Sequence, residues 1–166
     1  MVYLRNNSIE LHIIPSSKRT DELIHTLIRV WEESVRASHH FLNEQDILRL
    51  VPFVNQAILT IDTLIVSYSS NNTPVGFMGI EARKIEMLFV QPTYFGTGIG
   101  GHLVRTAIKQ HDVIYVDVNE QNQQATGFYR HLGFHTFERT DTDGQGNPFP
   151  ILRMCLAEAS RPDVSI

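Results

Sequence analysis

Val90-Gln91-Pro92-Thr93-Tyr94-Phe95-Gly96-Thr97-Gly98-Ile99-Gly100-Gly101 joins a β-rich run to an amphipathic one. Glycines at alternate positions, Gly96, Gly98 and Gly100, leave backbone N–H groups uncovered by side chains where a helix is predicted to begin. The free N–H groups of a first helical turn converge there with the positive end of the helix dipole. Such a turn binds phosphate or pyrophosphate. A connection with nothing bound is the plainer reading. It sits badly with the roughly 0.5–1 kcal/mol of order that each glycine costs unless something must approach the backbone closely.

Gly96-Thr97-Gly98-Ile99-Gly100-Gly101 also satisfies G-x-G-x-x-G, and Asp117 stands where an acid for a ribose would. A nicotinamide-binding unit, however, needs its strand to run straight into the first glycine, and Pro92 to Phe95 intervene. It also needs further parallel strands, and the sequence given ends at Ile166. A P-loop is excluded more simply, because no Gly-Lys-Ser/Thr follows.

Upstream of the glycines, Ile85 to Val90 reads as a strand ended by Pro92. Thr60 to Tyr68 and Val75 to Glu81 flank a turn-rich hexapeptide and form a hairpin. Leu23, Ile24, Leu27, Ile28, Trp31 and Val35 recur at three- and four-residue steps, predicting a helix from Asp21 to about Ala37. Asn43, with Asp46 three positions on, caps a second helix, which Pro52 should bend or split. Ile9 to Ile14 is a first strand. Downstream lie a helix from about Gly98 to Gln110, a strand over Val113 to Val118 and a helix over Asn122 to Leu132, closed by Gly133. Strands near Phe134 to Arg139 and Phe149 to Leu156 follow. The order β-α-α-β-β-β-α-β-α-β-β predicts an α+β, mixed α/β, fold around one sheet, in a single domain spanning residues 1–166.

Composition narrows the function. The chain is 42% hydrophobic and 19% charged, with net charge −4 and no run of Lys or Arg, which argues against a nucleic-acid surface. Cys155 is the only cysteine, so neither an internal disulfide nor a multi-cysteine metal site is available. None of the eight histidines stands at i, i+4 with a partner Glu, and no metal is expected. With no secretory signal and no apolar run long enough to span a bilayer, a cytoplasmic location is the expectation.

Val90-x-Pro92-x-Tyr94-x-Gly96-x-Gly98-Ile99-Gly100 resembles the acetyl-CoA signature V-x-P-x-Y-R-G-x-G-I-G of the GNAT (Gcn5-related) N-acetyltransferase superfamily. Val116-x-Val118-x-x-x-Asn122-x-x-Ala125-x-x-Phe128-Tyr129-x-x-x-Gly133-Phe134 resembles its second signature, at the expected distance. Residues 119–122, Asn-Glu-Gln-Asn, and Ser38-His39-His40-Phe41-Leu42 are similar to segments of one bacterial branch. The resemblance implies a central mixed, mainly antiparallel sheet with helices on both faces. It also implies acetyl transfer from acetyl-CoA to a primary amine, small or on a protein, by direct attack on the thioester. A non-catalytic acyl-CoA-binding or regulatory module on the same fold is the alternative, and a homodimer is left open.

The residue roles follow the same resemblance. Gly96, Thr97, Gly98, Ile99, Gly100 and Gly101, with Phe95, would cradle the pyrophosphate. Backbone groups of Leu88, Phe89 and Val90, on a strand that splays from its neighbour, would meet the pantetheine arm and thioester. Asn122 would hold that arm or cap its helix. Tyr129 would protonate the leaving thiolate, although it also continues an apolar stripe with Ala125, Phe128 and Leu132. Asp117 is ranked first as base, because a charge within Ile114-Tyr115-Val116-Asp117-Val118 is costly unless it faces a polar cleft. Glu86, read as in register with Leu88 and Val90, is second. Trp31, His39 and Phe41, with the Phe149-Pro150 loop, fall where acceptor-binding groups are placed. One departure is Phe95, where Arg or Gln is usual. Either coenzyme affinity falls or another cation, such as Arg130, compensates.

Overall fold

Period-two patterning builds a seven-stranded sheet, seen in a computed structural model that describes residues 8–157. Its strands are β1 (Glu10–Ile13), β2 (Thr63–Tyr68), β3 (Pro74–Glu81), β4 (Lys84–Val90), β5 (Tyr115–Asn119), β6 (Phe134–Thr140) and β7 (Ile151–Leu156). The helices are α1 (Asp21–Ser38), α2 (Glu44–Thr60), α3 (Ile99–His111) and α4 (Gln123–His131). The spatial order is β1-β2-β3-β4-β5-β7-β6. Every neighbouring pair is antiparallel except β4 and β5, which are parallel. The elements thus come in the order read from the sequence.

Two apolar layers cover the two faces. Ile99, Leu103, Val104 and Ala107 of α3 and Tyr129 of α4 pack on Ile85, Val116, Val118 and Met154. On the opposite face Ile24, Leu27, Ile28, Trp31 and Val35 of α1, with Ile47 and Ile58 of α2, pack on Leu64, Val66, Phe77 and Met87. α1 buries the stripe that its three- and four-residue spacing predicts, whereas on α4 only Tyr129 of the stripe is fully buried.

Capping sets the helix ends. Asn43 Oδ1 accepts the Asp46 N–H at 2.9 Å while Asp46 Oδ2 accepts the Asn43 N–H at 3.1 Å, a reciprocal capping box. α2 then runs unbroken through Pro52, so the expected split does not occur. Proline removes one donor, to the Leu48 carbonyl, and Leu48 lies exposed on the solvent side of the helix. α2 also reaches Thr60, so β2 begins at Thr63 rather than at Thr60. Its last carbonyls are met by Arg19, whose Nη1 donates to the Ile58, Leu59 and Ile61 oxygens at 3.0, 3.0 and 2.7 Å. Nothing in the local sequence marks that contact.

The feature that shapes the site is where β4 and β5 part. They pair only at Lys84↔Tyr115 and Ile85↔Val116, although β4 continues to Val90 and β5 to Asn119. A bulge coincides with the parting: Gly79 opposes Met87, Ile80 opposes Ile85, and Glu86 is left without a partner on β3. Bulges bend and twist the strand that carries them, and this one turns β4 from β5. The bulge also corrects the expected register of Glu86. Leu88 and Val90 pack on the α3–α4 side with Ile85, whereas Glu86 falls on the opposite side, the one that buries Met87.

Candidate active site

Beyond the bulge, β4 hydrogen-bonds on one side only. The Gln91 N–H donates to the Val75 oxygen at 2.8 Å, so by strand alternation the N–H groups of Phe89 and Met87 also point toward β3. Those of Leu88 and Val90 therefore point into the gap that β5 has vacated. A cavity of about 480 Å³ opens on this gap.

Its floor continues into the glycine turn. Gly96 and Gly98 hold φ of 74° and 92°, in the left-handed region, and a Cβ at either would meet nothing within 4 Å. Gly98 is the N-cap of α3, so the turn presents bare backbone and the first turn of a helix to open space. Leu88, Phe89, Val90, Phe95, Gly96, Gly98, Ile99, Gly100, Gly101 and Asn122 all line this cavity, as the sequence reading gathers them. Thr97 does not line it; its hydroxyl instead donates to the Tyr94 oxygen at 2.6 Å and braces the turn. Asn122 Oδ1 accepts the Ala125 N–H at 3.1 Å, so it caps α4 while facing the cavity.

Phe95 is 38% exposed beside the turn and brings no charge. Among the described residues, the one guanidinium that lines the cavity is that of Arg105; Arg130 does not line it. The Arg105 guanidinium folds back over α3, with Nη1 3.0 Å from where a Cβ on Gly101 would stand. It takes no part in the ion pairs of the described residues. The sequence did carry the signal, since residue 105 is one helical turn after Gly101 and only glycine leaves that space open. A pyrophosphate at this turn fits the residues present: bare amides, a helix start and an unpaired guanidinium.

Ala125, Phe128 and Leu132 line the cavity, and Tyr129 does not. It is 6% exposed, with its ring edge-on to Phe128 and Phe134 at 5.0 and 5.6 Å. Burial alone pushes its phenol pKa up, which keeps it protonated at neutral pH.

The two carboxylates lie elsewhere. Asp117 and Glu86 line a second, slightly smaller depression with Lys84, Tyr115, Phe137 and Arg153, which shares no residue with the first. Lys84 Nζ is 2.7 Å from Asp117 and 3.4 Å from Glu86, and Arg153 Nε is 3.9 Å from Asp117. Burial works against the Lys84 ammonium, but Asp117 and Glu86 outweigh it and raise its pKa. Tyr115 and Asp117 do share the outward face that strand parity predicts.

At the acceptor end the placement is mixed. Trp31 is 3% exposed in the α1–α2 core and offers no surface to an acceptor. Its own helical stripe, with Ile28 and Val35, is what buries it. His39 does line the cavity, together with Ser34 and Ser38. Its ring lies 5.4 Å from Phe41 and 6.5 Å from Phe89, and Phe41 lies 5.5 Å from Phe149. The loop after α1, the parted end of β4 and the segment before β7 thus meet in one aromatic wall.

Comparison with known proteins matches residues 26–156 to the acetyltransferase (GNAT) domain. The chain belongs to the GNAT acetyltransferase family. It is 35% identical over 133 residues to the peptidyl-lysine N-acetyltransferase YjaB of Escherichia coli K12, covering 80% of this chain and 90% of that one. The enzyme of the same name from Salmonella typhimurium is 37% identical over 128 residues, covering 77% and 88%. The solution structure of apo YjaB from Escherichia coli superimposes with a TM-score of 0.80 at 31% identity, covering 90% of this chain and 98% of that one. As in the rest of the GNAT family, the chemistry is acetyl transfer from acetyl-CoA to an amine. Among the described residues, no three His, Cys, Asp or Glu side chains are grouped to hold a metal ion. No described helix is long and apolar enough to cross a membrane.

Proposed function

We propose that the protein acetylates the side-chain amine of lysine on a protein or peptide, with acetyl-CoA as donor. The observation that carries this is the opening between β4 and β5. It exposes free Leu88 and Val90 amides between the glycine turn at one end and the aromatic wall of His39, Phe41 and Phe149 at the other. An extended donor and an acceptor arriving from the opposite side could meet only there. The names of the YjaB relatives supply the acceptor class.

In this reading α3's first turn and Arg105 hold the pyrophosphate, and Asn122 steadies the pantetheine arm. The amides of β4 donate to the thioester oxygen as negative charge develops on it. Tyr129 protonates the departing sulfur once the arm lies against α4. Aromatic walls suit the methylene stem of lysine, which packs on apolar surface while its nitrogen reaches forward.

The test pairs acetyl-CoA with a panel of lysine peptides, peptides with free α-amines, polyamines and amino acids, read by thiol release and by mass. Acetylation concentrated on lysine side chains is the expected result. Preference for polyamines or α-amines would overturn the acceptor, and absence of any turnover would leave an acyl-CoA-binding module.

Arg105→Ala should raise the acetyl-CoA Kd about tenfold by calorimetry, the loss of one charge-assisted contact of about 1.5 kcal/mol. Arg130→Ala should leave it unchanged. Equal effects from the two variants would show long-range charge rather than contact.

A further inference from the structure

We propose that His39 is the base that takes the proton from the attacking amine, and that Ser38 fixes which ring nitrogen does so. This rests on the acyl-transfer reading of the same cavity and assigns a role that Asp117 and Glu86 are badly placed to fill. Both carboxylates sit in the second depression against Lys84, so taking up a proton there would sacrifice an ion pair, at 2.7 Å in the case of Asp117. His39 lines the main cavity with Leu88, Phe89 and Val90, the strand whose amides face the gap.

The hydrogen bonds determine the tautomer. Ser38 Oγ donates to the Ser34 carbonyl at 2.7 Å, which uses its single proton. The same oxygen lies 2.8 Å from His39 Nδ1, so the ring nitrogen must be the donor in that contact. Nδ1 therefore carries the hydrogen and Nε2 keeps a bare lone pair. The Ser34 carbonyl, on the last turn of α1, anchors the relay to the helix. Burial first, then the neighbouring His40, holds the His39 pKa down to about 4, so the imidazole is neutral at working pH.

The acceptor enters as the free amine, because so weak a base does not strip a free ammonium. The nitrogen lone pair bonds to the carbonyl carbon, and the nitrogen, now positive, becomes acidic enough to give its proton to Nε2. The carbon–sulfur bond breaks with its electrons on sulfur, and the thiolate takes a proton from Tyr129. The imidazolium then releases a proton to water and the phenolate regains one. Amine plus thioester has become amide plus thiol, with every proton accounted for.

A purely structural His39 would serve only as a third ring beside Phe41 and Phe89. His39→Phe keeps that ring and removes the nitrogens. It is expected to lower kcat roughly 10²-fold, with acetyl-CoA affinity within threefold of wild type. Asp117→Asn and Glu86→Gln, assayed beside it, are expected to keep most of the activity. Side-chain nitrogen NMR should show His39 protonated at Nδ1 in wild type, with population moving to Nε2 in Ser38→Ala. Phenylalanine at 39 with near wild-type kcat, or a wild-type ring protonated at Nε2, overturns the assignment even if lysine peptides are acetylated. A wild type without turnover overturns the base and the acyl-transfer reading together.

Discussion

Tyr129→Phe is expected to lower kcat by roughly 10²-fold or more, while acetyl-CoA affinity and thermal stability hold. The substitution keeps the ring that packs edge-on against Phe128 and Phe134 and removes only the hydroxyl. Burial keeps that hydroxyl protonated, and no hydrogen bond contributes to its raised pKa. Under the proposed mechanism, a hydroxyl with no side-chain partner among the described residues would be free to donate to a departing sulfur. Because Tyr129 does not line the cavity in the absence of coenzyme, its effect should appear in kcat and not in coenzyme binding. An unchanged kcat would remove Tyr129 from the acid's role and return it to the apolar stripe of α4.

Arg19→Met is expected to cost about 3 kcal/mol of stability, roughly a 10 °C fall in Tm. Arg19 is 7% exposed and serves both ends of a long-range clamp. Its Nε donates to the Ile14 oxygen at 3.2 Å, just after β1, and its Nη1 serves the last carbonyls of α2. Methionine would fill the space but leave the carbonyl oxygens of the buried residues Ile58 and Ile61 without donors. Lysine, a single-point donor without the planar fork, should recover only part of the loss. Urea unfolding of the variants checks this, and a cost below about 1 kcal/mol would mean that water reaches the carbonyls.

Much of the molecule was legible because the signals were local. The three- and four-residue repeat from Leu23 to Val35 marked the face that α1 buries. The glycine turn announced bare backbone before a helix. What escaped depends on residues distant in the chain. The bulge that throws Glu86 to the far side arises from pairing with β3, and Lys84 finds Asp117 only because β4 and β5 pair at their starts. Trp31 is the reverse case, since its periodicity already marked it as core and the family resemblance drew it toward the acceptor. Arg105 is readable from Gly101, one turn earlier, whereas Arg130 does not line the cavity.

The two apolar layers are separated by the sheet, with α1 and α2 on one side and α3 and α4 on the other. If the proposed function holds, grip on the nucleotide tail belongs to the α3 side, whereas choice of recipient is shared by Phe41 after α1 and Phe149 before β7. Exchanging those two segments together for a paralogue's should then shift target preference while leaving coenzyme affinity untouched, and exchanging either one alone should not. Divergence of clientele on this scaffold would therefore require paired changes at two distant stretches of the gene.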